Sequence, residues 1–363
     1  MLELYSFDKA NRPKVEEVLQ AALNWHFSEE TGSPFWLEKR KELGFNPLVE
    51  IKTLDDLGRF PDYSEELKTV PTEKLIPQGL LNKKWSFEVF ESGGTTGAPQ
   101  KIVDSISRKK ALEWVYKELE SQDVFNGVDG HWLHIGPTGP HIVGRSIGRL
   151  AHFRSKLCYY IDFDPRWVKK CSKNGDMEGV KAYIQHILDQ AQCILSTQNV
   201  SVLFATPAVL EAISKRSELA ELIRSKIKLI LWAGTSIEEE TLDGLEQYIF
   251  PEAKFVGLYG NTLMGIAPQR PRFMGDTRNC VFQSFSPFSI VQVVDKDNSN
   301  LLVPYHEYGQ VKLTLLSPEL FIPSRLERDQ AIRIPPAGEY TWDGVADIRP
   351  MESLRGRIFE GVY

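Results

Sequence analysis

Apolar and polar positions change their period along the chain at definable places, and those changes predict the elements. "KVEEVLQAALNWHF" (14–27) carries its apolar residues at helical spacing, and residues 13 to 60 read as helices and loops. "FPDYSEELKTVPTEKL" is polar and broken by prolines, a surface connection into a first strand at "WSFEVF". "VSVLFAT" (200–206) is an unbroken run of the kind found in strands buried on both faces. Thr206 and Pro207 then supply an N-cap and a first-turn proline for "PAVLEAISKR". "IKLILWAG" (227–234) is a second buried strand, Ser236 and Glu239 form a capping box for "IEEETLDGLEQYIF", and "AKFVGLYG" (253–260) is a third strand. Strands alternating with helices predict a parallel sheet with right-handed crossovers. Ligands of such sheets bind beyond the carboxyl ends of the strands, here "ATP", "AGTS" and "LYGNT".

After about residue 285 the texture changes. "FSIVQVVDKDNSN" and "YGQVKLTLL" read as antiparallel strands around a turn rich in Asp and Asn. The expected organisation is an α/β core over 1–284 followed by a smaller β-rich subdomain over 285–363. The length of 363 residues agrees with more than one packed subdomain.

Composition narrows the function classes. Hydrophobic content of 42% and charged content of 25% are those of an ordinary globular protein. A net charge of −6 with no basic stripe argues against nucleic acid as a partner. The first residues lack the apolar core of a secretory signal, and no apolar run reaches the roughly 20 residues of a membrane span. Cys158, Cys171, Cys193 and Cys280 are scattered without a CxxC pair, as free thiols are in a reducing cytoplasm. The expectation is a cytoplasmic protein that does not engage a membrane.

The most unusual stretch is "FESGGTTGAPQKI" (90–102). Gly93, Gly94 and Gly97 do not fit the GxGxxG dinucleotide fingerprint, and no lysine follows Gly97 as a P-loop requires. The residues that follow, "KIVDSIS", read as extended, so the sequence offers no helix N-terminus to a phosphate. A glycine-rich turn between two strands still exposes backbone N–H groups as an anion nest. Ser92, Thr95 and Thr96 add hydroxyls and Lys101 adds charge, a set suited to a pyrophosphate that is held and then released. The alternative is a glycine-rich hairpin with no ligand.

"SGGTTGAPQK" resembles the "SSGTTGxPK" phosphate loop of the adenylate-forming superfamily, with one additional residue, Gln100, before the lysine. Other landmarks follow in the family's order. "LWAGTS" resembles the strand end against adenine, which implies roles for Ala233, Gly234 and Thr235. "LYGNT" resembles the "YGxTE" signature: Leu258, Tyr259, Gly260 and Asn261 would border the adenine, and Thr262 would sit near the α-phosphate. "FIPSRLERDQAIRI" resembles the "YRTRDIT" segment of the phenylacetate-CoA ligase-like branch and implies Asp329 on the ribose hydroxyls. "LRGRIFEGVY" resembles the hinge, with Arg357 as its arginine. "HIGPTGPHIVGRSIG" is similar to that branch's acid pocket, which implies Gly136, His141 and Gly144 there. Within the branch, the resemblance extends to the adenylating proteins of phenazine antibiotic biosynthesis.

The resemblance implies the α/β N-terminal domain of an adenylate-forming enzyme, in which 1–284 would hold two layered parallel-sheet subdomains meeting within about 150–200 and 285–363 a distorted barrel ending at the hinge, with the mobile C-terminal domain lying outside this chain. It implies ATP and Mg2+, with Thr262 and Lys101 acting on the phosphates while an aromatic carboxylic acid, such as a phenazine carboxylate, is adenylated for antibiotic biosynthesis. A downstream reductase or acceptor protein would then take the acyl-adenylate. Two other outcomes stand beside this one: an aryl-CoA ligase forming a thioester, and a nucleotide- and acid-binding protein with little turnover. Leu263 occupies the position where the family has a glutamate on magnesium, and an aliphatic chain cannot ligate a hard cation. His131 and His134 sit three apart without a partner at ligand spacing, so they do not make a metal site. "GPTGP" and "AGTS" are small enough to leave room for a flat acid.

Overall fold

In the computed structural model, residues 1–6, 12–81, 86–92, 99–234 and 236–351 are described. They form two compact units woven from non-contiguous segments. One comprises residues 1–111, 261–265 and 283–351; the other comprises 112–260 and 266–282. This weave differs from the contiguous division at 284 and 285 read from the sequence.

The first unit is built on four antiparallel strands in the order β10 (Ser289–Val294), β11 (Tyr308–Leu316), β12 (Phe321–Ile334) and β13 (Gly344–Pro350). The helix Val15–Phe27 buries Val18, Leu19, Ala22, Leu23, His26 and Phe27. Phe27 and Trp36 each bring their ring centroid to 5.4 Å from Phe321 at the start of β12. Trp25 Nε1 donates to the Pro318 carbonyl at 2.7 Å, and His26 Nε2 lies 2.7 Å from the Ser317 carbonyl oxygen. These contacts place the N-terminal segment with the late strands. The stretch expected as a polar connection forms short helical turns and buries Tyr63, Leu67 and Leu75.

A hairpin of β1 (Glu88–Glu91) and β2 (Lys101–Asp104) belongs to the same unit, with Glu91 opposite Lys101. The segment after the glycine-rich loop is extended only to Asp104; a helix, Ile106–Ser121, begins two residues later. Its start was hidden because its cap comes from far away. The Glu319 carboxylate accepts from the Ile106 and Ser107 amides at 2.9 and 3.1 Å and from the Ser107 hydroxyl.

The second unit carries one six-stranded sheet: β4 (Cys158–Asp162), β3 (His131–Gly136), β5 (Val200–Ala205), β6 (Leu229–Trp232), β7 (Lys254–Asn261) and β8 (Gly265–Pro268), in that order; the two-residue strand β9 (Val281–Phe282) follows in the same unit. The pairs from β4 to β7 are parallel. Every residue of β5 and β6 is buried, as their unbroken apolar runs require. Two parallel-sheet subdomains were expected, but the described residues contain one, because the N-terminal 81 residues contribute helices and an aromatic core. Thr206 caps its helix as predicted, accepting from the Val209 amide at 3.4 Å. The Ser236–Glu239 capping box does not form; the helix starts at Glu239 with Glu238 as an N-cap that makes no side-chain bond. Among the described residues no helix is long and apolar enough to cross a membrane.

Candidate active site

The chemistry-bearing residues of the first unit gather at the neck of the glycine-rich hairpin. Beyond the last strand pair, the Ser92 amide donates to the Gln100 carbonyl and the Gln100 amide donates to Ser92 Oγ, both at 2.9 Å. The Ser92 hydroxyl oxygen therefore locks the neck as an acceptor. Gly93, Gly94, Thr95, Thr96 and Gly97 lie outside the described residues. Lys101 is exposed at the start of β2. Gln100 is 1% exposed, and its Oε1 accepts from Arg325 Nη1 on β12.

Thr262 meets the same neck. Its hydroxyl donates to the Glu91 carbonyl at 3.3 Å, so Ser92 and Thr262 flank the last residue of β1. The turn bearing Thr262 is held from two directions. Asn261 Oδ1 accepts from the Leu263 and Met264 amides, each at 2.9 Å, which makes Asn261 a builder of the turn. From beneath, Arg108 Nη2 donates to the Thr262 carbonyl at 2.7 Å and to the Leu263 carbonyl at 3.3 Å. Arg108 is buried, with its Nε 3.8 Å from Asp104. Gly265 has φ +86°, and an added Cβ would overlap the Arg108 guanidinium, so a glycine is needed there twice over. Sequence reasoning missed Arg108, Asp104 and Gln100, and the only cue for Arg108 and Asp104 is their i,i+4 spacing. Burial raises Glu319 to about 7, with Asp104 adding to the shift. Asp329 is buried on β12, two residues from Glu327, whose carboxyl is also pushed up by burial.

In the second unit, β4 and β5 flank β3, so the chain reverses its direction of travel across the sheet at β3/β5. Such a reversal is where open α/β sheets place ligands. Gly136 ends β3, and His141 is the buried N-cap residue of the helix Ile142–Phe153, which contains Gly144. Both glycines pack against His134. An added Cβ at Gly136 would lie 3.1 Å from the His134 ring and 3.2 Å from Phe204, and one at Gly144 would lie 3.0 Å from the Pro137 carbonyl oxygen. Of the two glycines in "GPTGP", Gly136 is thus packed by protein, whereas a Cβ at Gly139 would meet nothing within 4 Å. His134 is fully buried, stacks on Phe204 at 4.8 Å and is held neutral, its pKa lowered to about 4 by burial. Leu258, Tyr259 and Gly260 lie on β7, with Leu258 buried and Gly260 exposed. The Tyr259 ring rests 6.1 Å from Phe282, itself 6.3 Å from Trp232. Gly257 lets these aromatics close up, since a Cβ there would come within 2.9 Å of Trp232 and 3.0 Å of Phe282. Ala233 and Gly234 follow β6, Gly234 at φ +97°; Thr235 and Arg357 lie outside the described residues.

Among the described residues no group of three or more His, Cys, Asp or Glu could hold a metal. Leu263 is buried, and its aliphatic side chain offers no oxygen to a hard cation. Burial raises Cys158 to about 11 and Cys280 to about 12, which leaves both as thiols rather than nucleophiles.

No protein-family profile and no curated protein matches the sequence. Solved structures do. 2-Hydroxyisobutyryl-CoA ligase in its postadenylation state with R3-HIB-AMP matches at a TM-score of 0.59 and 16% identity, over 97% of this chain and 70% of that one. The same ligase in an open conformation, with 2-HIB-AMP and CoA, gives 0.61 and 15% identity, over 95% and 75%. The chain shares the fold of an acyl-CoA ligase. At this identity the likeness is one of fold: an α/β unit with a parallel sheet, together with an antiparallel sheet.

Proposed function

We propose that this protein adenylates an aromatic carboxylic acid with ATP, releasing pyrophosphate. The observation that carries the reading is the hairpin neck. A sequence resembling the adenylate-forming phosphate loop is pinned by Ser92 and Gln100, with the Thr262 hydroxyl on the adjoining carbonyl, in a chain with an acyl-CoA ligase fold. The neighbouring ligase is bound to an acyl-adenylate, the product such a reaction would give. In the reaction, a carboxylate oxygen bonds to the α-phosphorus of ATP as the bond to the β-phosphate oxygen breaks. Charge spreads over the phosphoryl oxygens, so the protein's task is to position and stabilise rather than to form a covalent bond. Ser92, with Thr95 and Thr96, would hold the outgoing pyrophosphate, and Lys101 would offset its charge. Thr262 would orient the α-phosphate, and magnesium would arrive with the nucleotide. Ala233, Gly234, Thr235 and residues 258–261 would border the adenine, with Asp329 on the ribose and Arg357 at the hinge. His141 would face the acid near the β3/β5 reversal.

The resemblance of "HIGPTGPHIVGRSIG" supports an aromatic acid, and that of the chain as a whole supports a phenazine carboxylate whose activated carboxyl passes to a reductase or acceptor protein. The test is acid-dependent exchange of labelled pyrophosphate into ATP across a panel of aromatic acids, phenazine carboxylates included. Exchange with at least one acid is expected; none with any would refute adenylation. Thioester formation on adding coenzyme A would move the reading to an aryl-CoA ligase.

A further inference from the structure

We propose that Gln100, the residue by which this loop exceeds the pattern it resembles, is a positioning residue. Its hydrogen bond with Arg325 ties the neck of the glycine-rich hairpin to the strand that carries Asp329. The proposal deepens the adenylation reading and rests on it. Three observations on one unit converge. Gln100 is almost fully buried although its neighbour Lys101 is exposed, so the additional residue points inward and is held there. Its backbone makes both bonds to Ser92 that close the neck, and its side-chain oxygen accepts from Arg325. Arg325 is itself fixed: its Nε lies 3.5 Å from Glu327, with Asp329 two residues further along β12.

A buried amide shifts only at a cost, because either end left without a partner keeps its full desolvation penalty. Gln100 Nε2 already has no partner among the described residues, so the Arg325 contact is the polar bond that fixes this side chain. Movement of the neck when phosphate enters would therefore be felt at Arg325 and along β12. Phosphate and ribose recognition would then respond together, through a residue that touches neither group.

A double-mutant cycle tests this. Gln100→Met and Arg325→Met keep side-chain bulk while removing the hydrogen bond, and the double variant cancels the separate cost of leaving Glu327 without its arginine. In pyrophosphate exchange, each single variant should raise the KM for ATP by about tenfold with kcat changed by less than about threefold, and the double variant should be no worse than the poorer single one. Arg325→Lys, which keeps a donor, should recover part of the loss. Calorimetric titration of ATP on the same proteins reads the coupling without turnover. If wild-type protein binds ATP but exchanges with no acid, adenylation fails while the cycle still decides the coupling. Multiplicative effects of the two substitutions on ATP affinity, or wild-type affinity in Gln100→Met, would overturn the proposal. So would equal losses in both singles that track a fall in melting temperature.

Discussion

The turn Asn261–Gly265 and the carboxyl end of β3 each present backbone at the end of a sheet strand, and they are held in opposite ways. The turn is held by charge: the Arg108 guanidinium beneath it bonds two carbonyls and faces Asp104, in a site that excludes most water. The end of β3 is held by a neutral ring: His134, stacked on Phe204 and closed over by Gly136 and Gly144. A charged anchor fixes direction and is costly to break, because its partners stay buried when it leaves. A neutral ring fixes volume, tolerates loss better, and is vulnerable to protons.

The largest expected effect follows from the first half of that contrast. Arg108→Met should destabilise the first unit by about 3–5 kcal/mol, since it takes the donor from two carbonyls and a buried cation from beside Asp104. Denaturant melting checks this, and a loss below about 1 kcal/mol would mean that the guanidinium is not an anchor.

Next in size is an acid effect that separates the two units. His134 is lowered to about 4, so the unfolded chain binds its proton below about 6.5 while the native ring resists. Its contribution is complete above pH 6.5 and is lost as pH falls towards 4, about 3 kcal/mol over that window. In the first unit His26, also lowered to about 4, acts in the same direction. Glu319, raised to about 7, acts in the other, because its stabilising native protonation is lost as pH rises from 4.5 through 7. The two offset each other over most of the range. Acidification from pH 6.5 to 4.5 should therefore lower amide protection, measured against the intrinsic exchange rate at each pH, more in β3 and β5 than in the helix Val15–Phe27. Equal losses of protection would remove the contrast.

The smallest is steric. Gly136→Ala forces apart the stacked His134 and Phe204 rings and should cost about 1–3 kcal/mol. Unchanged melting would show that the ring pair gives way freely.

Regular elements were legible wherever local pattern decides structure. β5, the Thr206 cap and the antiparallel pairing of β10 with β11 all follow from short runs of sequence. Features set by distant partners were not. The helix at Ile106 looked extended because its capping carboxylate, Glu319, is 213 positions away. The Ser236 capping box satisfied a local rule that the chain does not use. At the candidate site, Ser92 and Thr262 could be picked out by resemblance, and the structure brings both to Glu91. Gln100 looked like an interruption and is a buried part of the neck. Gly136, read as room for a ligand, packs against the His134 ring, while a Cβ at Gly139 would meet nothing within 4 Å, since a missing side chain does not say what fills its space.

A crystal structure with bound ATP tests the central claim most directly. The β- and γ-phosphates should lie against residues 92–101, with the α-phosphate within hydrogen-bonding reach of the Thr262 hydroxyl. Triphosphate bound elsewhere, with this hairpin untouched, would contradict the assignment of the loop and the chemistry built on it.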